Sequence, residues 1–142
     1  MNLQEIYLYN NGLCEINSIF KRLSNLKKII YNGNKIKSIN KNSFQELSNL
    51  ENLDLMNNQI TEINFLNNLT MLKELVLCGN KLDTIDFYSF QDLFNLVKLY
   101  LNRNQITRIN RKEGFKGLTK LKQLYLGDNL IEYIYFLLSY LF

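Results

Sequence analysis

Six times along the 142-residue chain the same phrase returns, Leu-x-x-[Leu/Ile]-x-[Leu/Tyr]-x-x-Asn, closing on Asn11, Asn34, Asn58, Asn80, Asn104 and Asn129. The copies start at Leu3, Leu26, Leu50, Leu72, Leu96 and Leu121, with spacings of 23, 24, 22, 24 and 25 residues. A tandem repeat of this period restricts the fold more than any composition does. One copy has too little apolar surface to bury on its own, so each must pack on the next and share one elongated core.

Within each phrase apolar residues alternate with others, as in Leu50-Glu-Asn-Leu53-Asp-Leu55. Period two is the mark of a short strand with one face inward. Stacked in register, the six strands are expected to form a parallel sheet along one side of the molecule. Each asparagine then falls where the chain turns in behind its strand, and backbone N–H and C=O groups left there must be paired. An amide side chain carries both donors and acceptors and can serve the loops of neighbouring copies. All six asparagines are therefore read as a structural ladder, since a catalytic residue would not recur in every copy. Gly33 and Gly79 share the slot before the asparagine and Gly127 lies one earlier; turns that need positive φ account for such glycines without a phosphate loop.

Every copy continues with x-[Leu/Ile]-x-x-Ile, as in Asn58-Gln-Ile60-Thr-Glu-Ile63 and Asn104-Gln-Ile106-Thr-Arg-Ile109. Three add Phe-x-x-Leu, at Phe44…Leu47, Phe90…Leu93 and Phe115…Leu118. With these features the chain resembles the leucine-rich repeat family from Leu3 to about Ile134. The Phe-x-x-Leu ending resembles the subclass common in extracellular receptors, and the 22-residue copy, with Leu66 in the phenylalanine slot, the SDS22-like subclass of phosphatase regulators. The resemblance implies an α/β fold. Its form is a right-handed solenoid, with a curved parallel sheet on the concave face and loops and short helical turns on the convex face. Residues 1–142 are expected to form one solenoid of six repeats with the last incomplete. The apolar ending Tyr133–Phe142, about half a membrane span in length, fits an improvised cap or a fragment of a longer protein equally well. Gly114-Phe-Lys-Gly117 has the form of the GXXG clamp of RNA-binding KH domains, but the repeat frame puts it in a return loop with Phe115 turned inward.

Catalytic constellations are scarce. With no histidine, Ser-His-Asp and Cys-His arrangements and histidine-bound zinc are excluded, and no Walker-type or dinucleotide glycine pattern occurs. Cys14 and Cys78, three copies apart, lie about 14 Å from each other along the stack, beyond disulfide reach. Both are expected to be free thiols. Glu51, Asp54 and Glu74 meet on the strand face, but opposite charges on adjoining strands explain them as lateral pairs. No enzyme, no metal and no cofactor is expected.

The net charge of +4 is spread over all faces; the late cluster Arg103, Arg108, Arg111, Lys112, Lys116, Lys120 and Lys122 does not line one of them. Nucleic acid is accordingly not the expected partner. No hydrophobic run here spans a membrane, and uncapped ends offer a route to self-association. The absence of a basic-plus-apolar leader and of cysteine-rich caps favours the cytoplasm, with an extracellular setting if the chain is part of a receptor.

Function is sought on the outward strand positions, which have no core duty. The central row reads Tyr7, Ile30, Asp54, Val76, Tyr100, Tyr125, and a second row holds Tyr9 and Met56. Aromatics and methionine exposed on a sheet are what a protein-binding surface uses. The resemblance also implies protein binding on the concave sheet. The expected contact set is Tyr7, Tyr9, Ile30, Asp54, Met56, Val76, Tyr100, Arg103 and Tyr125. A regulatory or targeting subunit of an enzyme such as a phosphatase, and an ectodomain fragment of a larger receptor, are the alternatives.

Overall fold

The computed structural model describes residues 2–86, 88–109 and 114–132. Six three-residue strands, β1 (Glu5–Tyr7), β3 (Lys28–Ile30), β5 (Asn52–Asp54), β6 (Glu74–Val76), β8 (Lys98–Tyr100) and β10 (Gln123–Tyr125), form one parallel sheet in the order β1-β3-β5-β6-β8-β10. Each belongs to one copy of the phrase. Register keeps the copies aligned, so Ile6, Ile29, Leu53, Leu75, Leu99 and Leu124 form one inward column.

Behind the sheet the apolar slots close into a single core. Leu26, Leu50, Leu72 and Leu96 are sealed from solvent, as are Leu55, Leu77 and Leu101. The end copies are more open: Ile6 and Leu8 in the first, and Leu121, Leu124 and Leu126 in the last, are only partly buried. Tyr31 takes a leucine slot and is 1% exposed; burial pushes its phenol pKa up.

The asparagines follow one pattern. Asn58 Oδ1 accepts from Ile36 N at 3.0 Å, while its Nδ2 donates to Tyr31 O of the preceding coil at 3.1 Å and to Leu55 O of its own at 3.0 Å. Asn80 repeats this with Ile60 N, Leu55 O and Leu77 O, and Asn104 with Leu82 N, Leu77 O and Leu101 O. The Leu8, Tyr31, Leu55, Leu77 and Leu101 carbonyls, each just after a strand, thus receive two asparagines, their own and the next coil's. Asn11, with no preceding coil among the described residues, donates only to Leu8 O and Tyr9 O and is exposed.

The x-[Leu/Ile]-x-x-Ile segments make further short strands: β2 (Glu15–Ile16) pairs with β4 (Ser38–Ile39), and β7 (Thr84–Ile85) with β9 (Arg108–Ile109). The 22-residue third coil contributes none among the described residues; two residues shorter than its neighbours, it interrupts the ladder. The short turns expected on the convex side are isolated i→i−3 turns, such as Leu47 N to Phe44 O at 2.9 Å and Leu50 N to Leu47 O at 3.1 Å. No helix forms among the described residues. About ten residues cross that side, and a helix nucleus fixes many torsions for one hydrogen bond.

Rings line the convex half of the core. Phe20 stacks on Phe44 at 5.6 Å and meets Tyr31 edge-on at 6.3 Å. Phe90 and Phe115 are stacked at 5.9 Å, which puts Gly114-Phe-Lys-Gly117 in a return loop. Leu66 does occupy a buried slot, but the third coil still supplies a ring, because Phe65 one residue earlier meets Phe44 at 5.9 Å. The first coil also has a Phe-x-x-Leu, Phe20 to Leu23, beyond the three expected.

Odd and even coils differ in their left-handed residues. Arg22 and Asn68 have φ of 65° and 67°, and their amides donate to Glu46 and Asp92 of the following coil at 3.0 and 3.1 Å. Asn49 and Asn95 reach back to Ser24 O and Thr70 O. Before the ladder asparagine, all six residues are left-handed: Asn10, Gly33, Asn57, Gly79, Arg103 and Asp128. The Asn10 and Asn57 side chains lie over the glycines of the next coil, where an added Cβ would come within 2.1 and 2.2 Å of their Oδ1 atoms.

Candidate functional site

The outward side chains of the main strands share one face. Strand register makes Tyr7, Ile30, Asp54, Val76, Tyr100 and Tyr125 one continuous row. Five strand steps of about 4.8 Å spread it over roughly 24 Å. The expected residues therefore form no single pocket but two aromatic ends joined by Ile30, Asp54, Met56 and Val76. At one end Tyr7 and Tyr9 are 51% and 54% exposed. At the other, Tyr100 and Tyr125 stack at 4.5 Å with their rings 2° from parallel, Tyr125 remaining 43% exposed.

Residues absent from the expected set complete both ends. The Lys28 ammonium lies over the Tyr7 ring, 5.4 Å from its centroid, while the Tyr7 hydroxyl donates to Glu5. Asp128 faces Arg103 at 3.6 Å. Both partners occupy positions readable from the repeat frame: Lys28 pairs with Glu5 in the neighbouring strand and Asp128 shares the Arg103 slot. Arg103 itself stands at the rim with φ 56°, where two of the six coils use glycine. A left-handed backbone costs a branched or long side chain on the order of 1 kcal/mol, so fold stability alone does not select arginine there.

Between the ends, polar pairings lie among Ile30, Met56 and Val76. Asp54 accepts from Asn32 Nδ2 at 3.1 Å and from the Met56 amide at 2.9 Å. Glu74 accepts from Asn52 at 3.2 Å. Of the lateral ion pairs expected from opposite charges, Glu51–Lys73 forms, at 2.6 Å; the hydrogen bond from Lys73 holds the Glu51 carboxyl below its ordinary pKa. Glu5 and Glu74 take the hydroxyl and amide partners instead. Burial, reinforced by Asp54, raises the Cys78 thiol pKa, and burial with Glu74 raises that of the Tyr100 phenol. Cys14 and Cys78 are free thiols.

The described residues hold no grouping of three His, Cys, Asp or Glu side chains suited to a metal ion. A hollow of about 400 Å³ lies on the convex side by the short third coil, lined among others by Ile63, Leu66, Asp86 and Gln91; it contains none of the expected contact residues. Arg111, Lys112 and Tyr133–Phe142 lie outside the described residues. No described helix is long and apolar enough to cross a membrane.

The leucine rich repeat family model matches residues 1–60 and 70–131, and a two-copy model of such repeats matches 48–89. The chain belongs to the leucine-rich repeat family. The human protein "Leucine-rich repeats and immunoglobulin-like domains protein 1" is 39% identical over 62 residues, 44% of this chain and 6% of that protein. A chain of the Drosophila Toll–Spatzle complex superposes with TM-score 0.85 and 28% identity over 89% of this chain and 17% of its own length. An internalin (InlF) of Listeria monocytogenes gives 0.75 and 31%, covering 95% of this chain and 37% of that one. A chain of the TLR13–ssRNA13 complex gives 0.70 and 28%, covering 97% and 23%. This leucine-rich repeat chain thus spans well under half the length of each of these relatives.

Proposed function

We propose that the chain is a non-enzymatic recognition module that binds a protein partner through its concave sheet. The observation that carries this is the stacked, outward-facing Tyr100–Tyr125 pair. Two aromatic rings held on a rigid strand pair offer contact area with few torsions left to freeze. Core packing does not require them, since Leu99 and Leu124 already supply the inward side of those strands. The likeness to a chain of the Drosophila Toll–Spatzle complex lends support, because that chain is held in an assembly with another protein.

The test is a double substitution, Tyr100→Ala with Tyr125→Ala, in affinity capture followed by mass spectrometry. Specific capture is lost, while the circular-dichroism spectrum and melting temperature stay nearly unchanged. Persistent capture of the same proteins refutes the concave assignment. A receptor-type setting is the second reading, favoured over a phosphatase-targeting subunit by the Phe20, Phe44, Phe90 and Phe115 rings and by the likeness to Toll. Co-purification of the chain with phosphatase activity would reverse that preference.

A further inference from the structure

On the concave sheet and its rims, charge is satisfied asymmetrically. Every carboxylate already has a hydrogen-bond donor or an ion-pair partner from this chain: Glu5 has Tyr7, Glu51 has Lys73, Asp54 has Asn32, Glu74 has Asn52 and Asp128 has Arg103. The ammonium groups of Lys98 and Lys122 have neither a hydrogen-bond nor an ion-pair partner among the described residues. Both lie on or next to the strands that carry the tyrosine pair. Lys98 precedes Tyr100 by two residues on the same face of β8, about 7 Å away, and Lys122 stands exposed immediately before β10. Arg103 closes the opposite rim, its pairing to Asp128 long at 3.6 Å and both side chains about three-quarters exposed.

We infer that this end of the sheet docks an acidic polypeptide segment that also carries an aromatic or apolar anchor. The anchor lies on the tyrosine pair and the segment's carboxylates meet Lys98 and Lys122. The inference rests on the concave reading above and names the chemistry of its partner. A nucleic acid fits less well: duplex DNA carries a negative charge every ~1.7 Å of its axis, and its backbone could not cross this face without meeting Asp54, Glu74 or Asp128. A polypeptide can present a few carboxylates to the two free ammonium groups and none to those acids. Desolvating two already paired carboxylates and two unpaired amines is also unequal, because only the amines gain a new partner.

The experiment uses three fluorescein-labelled probes on the full chain: a random glutamate–tyrosine copolymer, poly-L-lysine and single-stranded poly(U). Binding of the copolymer in preference to the other two is expected, weakened tenfold or more by Lys98→Glu with Lys122→Glu. The charge-matched convex control, Lys21→Glu with Lys41→Glu, changes it less than twofold. Should the glutamate variant not fold by circular dichroism, Lys98→Gln with Lys122→Gln still weakens binding at least threefold. Equal loss in the convex control, preference for poly-L-lysine, or tighter binding of poly(U) overturns the inference. If Tyr100→Ala with Tyr125→Ala abolishes partner capture but the lysine variants leave copolymer binding intact, the acidic partner is refuted and the concave reading stands. If neither variant pair has an effect, both fall.

Discussion

Because five carbonyls behind the sheet, Leu8 to Leu101, are each shared by two asparagines, the cost of removing one should differ from the cost of removing two neighbours by more than a sum. In Asn58→Ala, Tyr31 O keeps Asn34 and Leu55 O keeps Asn80 as donors. Only the Ile36 amide, which gives its hydrogen to Asn58 Oδ1, is left without a partner in a buried place. One buried unsatisfied group costs about 1–3 kcal/mol, and losing two shared bonds adds roughly 1 kcal/mol, for about 2–4 kcal/mol in all. At roughly 3 °C per kcal/mol for a chain of this size, the melting temperature falls by about 6–12 °C. Asn11→Ala removes only exposed donations and should cost below about 1 kcal/mol. The decisive case is Asn58→Ala combined with Asn80→Ala, which strips Leu55 O of both its amides. Beside the Ile36 and Ile60 amides that the singles orphan, a third orphan then appears that neither single variant creates, so the pair should exceed the sum of the singles by about 1–3 kcal/mol. Asn58→Ala with Asn129→Ala shares no carbonyl and should be additive. Urea unfolding of these variants, the singles Asn80→Ala and Asn129→Ala and their parent, at matched m-values, reads these terms. An additive Asn58/Asn80 cycle, or an Asn11 variant as damaging as Asn58, refutes the shared-carbonyl argument.

Three further outcomes follow from particular positions. Gly117→Ala puts a Cβ within 2.4 Å of Gln91 O at a φ of 96° and should destabilise by several kcal/mol, on the order of 2–4, whereas Gly127→Ala, with open space around its Cβ, should be nearly silent in the same melts. Arg103→Gly should raise stability by about 1 kcal/mol through relief of its left-handed backbone yet weaken partner capture; a stability loss in urea would contradict the strain. Cys14, exposed, should be alkylated by a maleimide well before Cys78, whose thiol burial holds in the protonated form, and equal rates in peptide mass spectra would contradict that ordering.

The strands could be placed from the sequence because every asparagine numbers its own coil, and Leu53 or Leu99 then falls inward by parity alone. What escaped that frame did so for physical reasons. Phe65 sits one position off the phenylalanine slot and still reaches Phe44, since a ring can tilt across a short coil. The second strands depend on coil length, which decides whether neighbouring tails lie side by side, and length is a comparison between copies. At the candidate site the rows were legible but the pairings were not. Lys28 had a carboxylate neighbour in register and nonetheless lies over a tyrosine ring, and Arg103 adopts a backbone that its residue type argues against. Such choices depend on side-chain reach across strands, which parity does not encode.

The alternation of left-handed residues implies a unit of growth larger than the visible repeat. Arg22 leans on Glu46 and Asn68 on Asp92, each pair lying inside two successive coils, and the two pairs are 46 residues apart. Likewise Asn10 covers Gly33 and Asn57 covers Gly79. Excising the second, third or fourth coil would bring two of the same kind together, leaving an amide opposite no carboxylate or a glycine with nothing laid over it. Excising two restores every match. A lineage that lengthens or trims this chain should therefore do so in even steps.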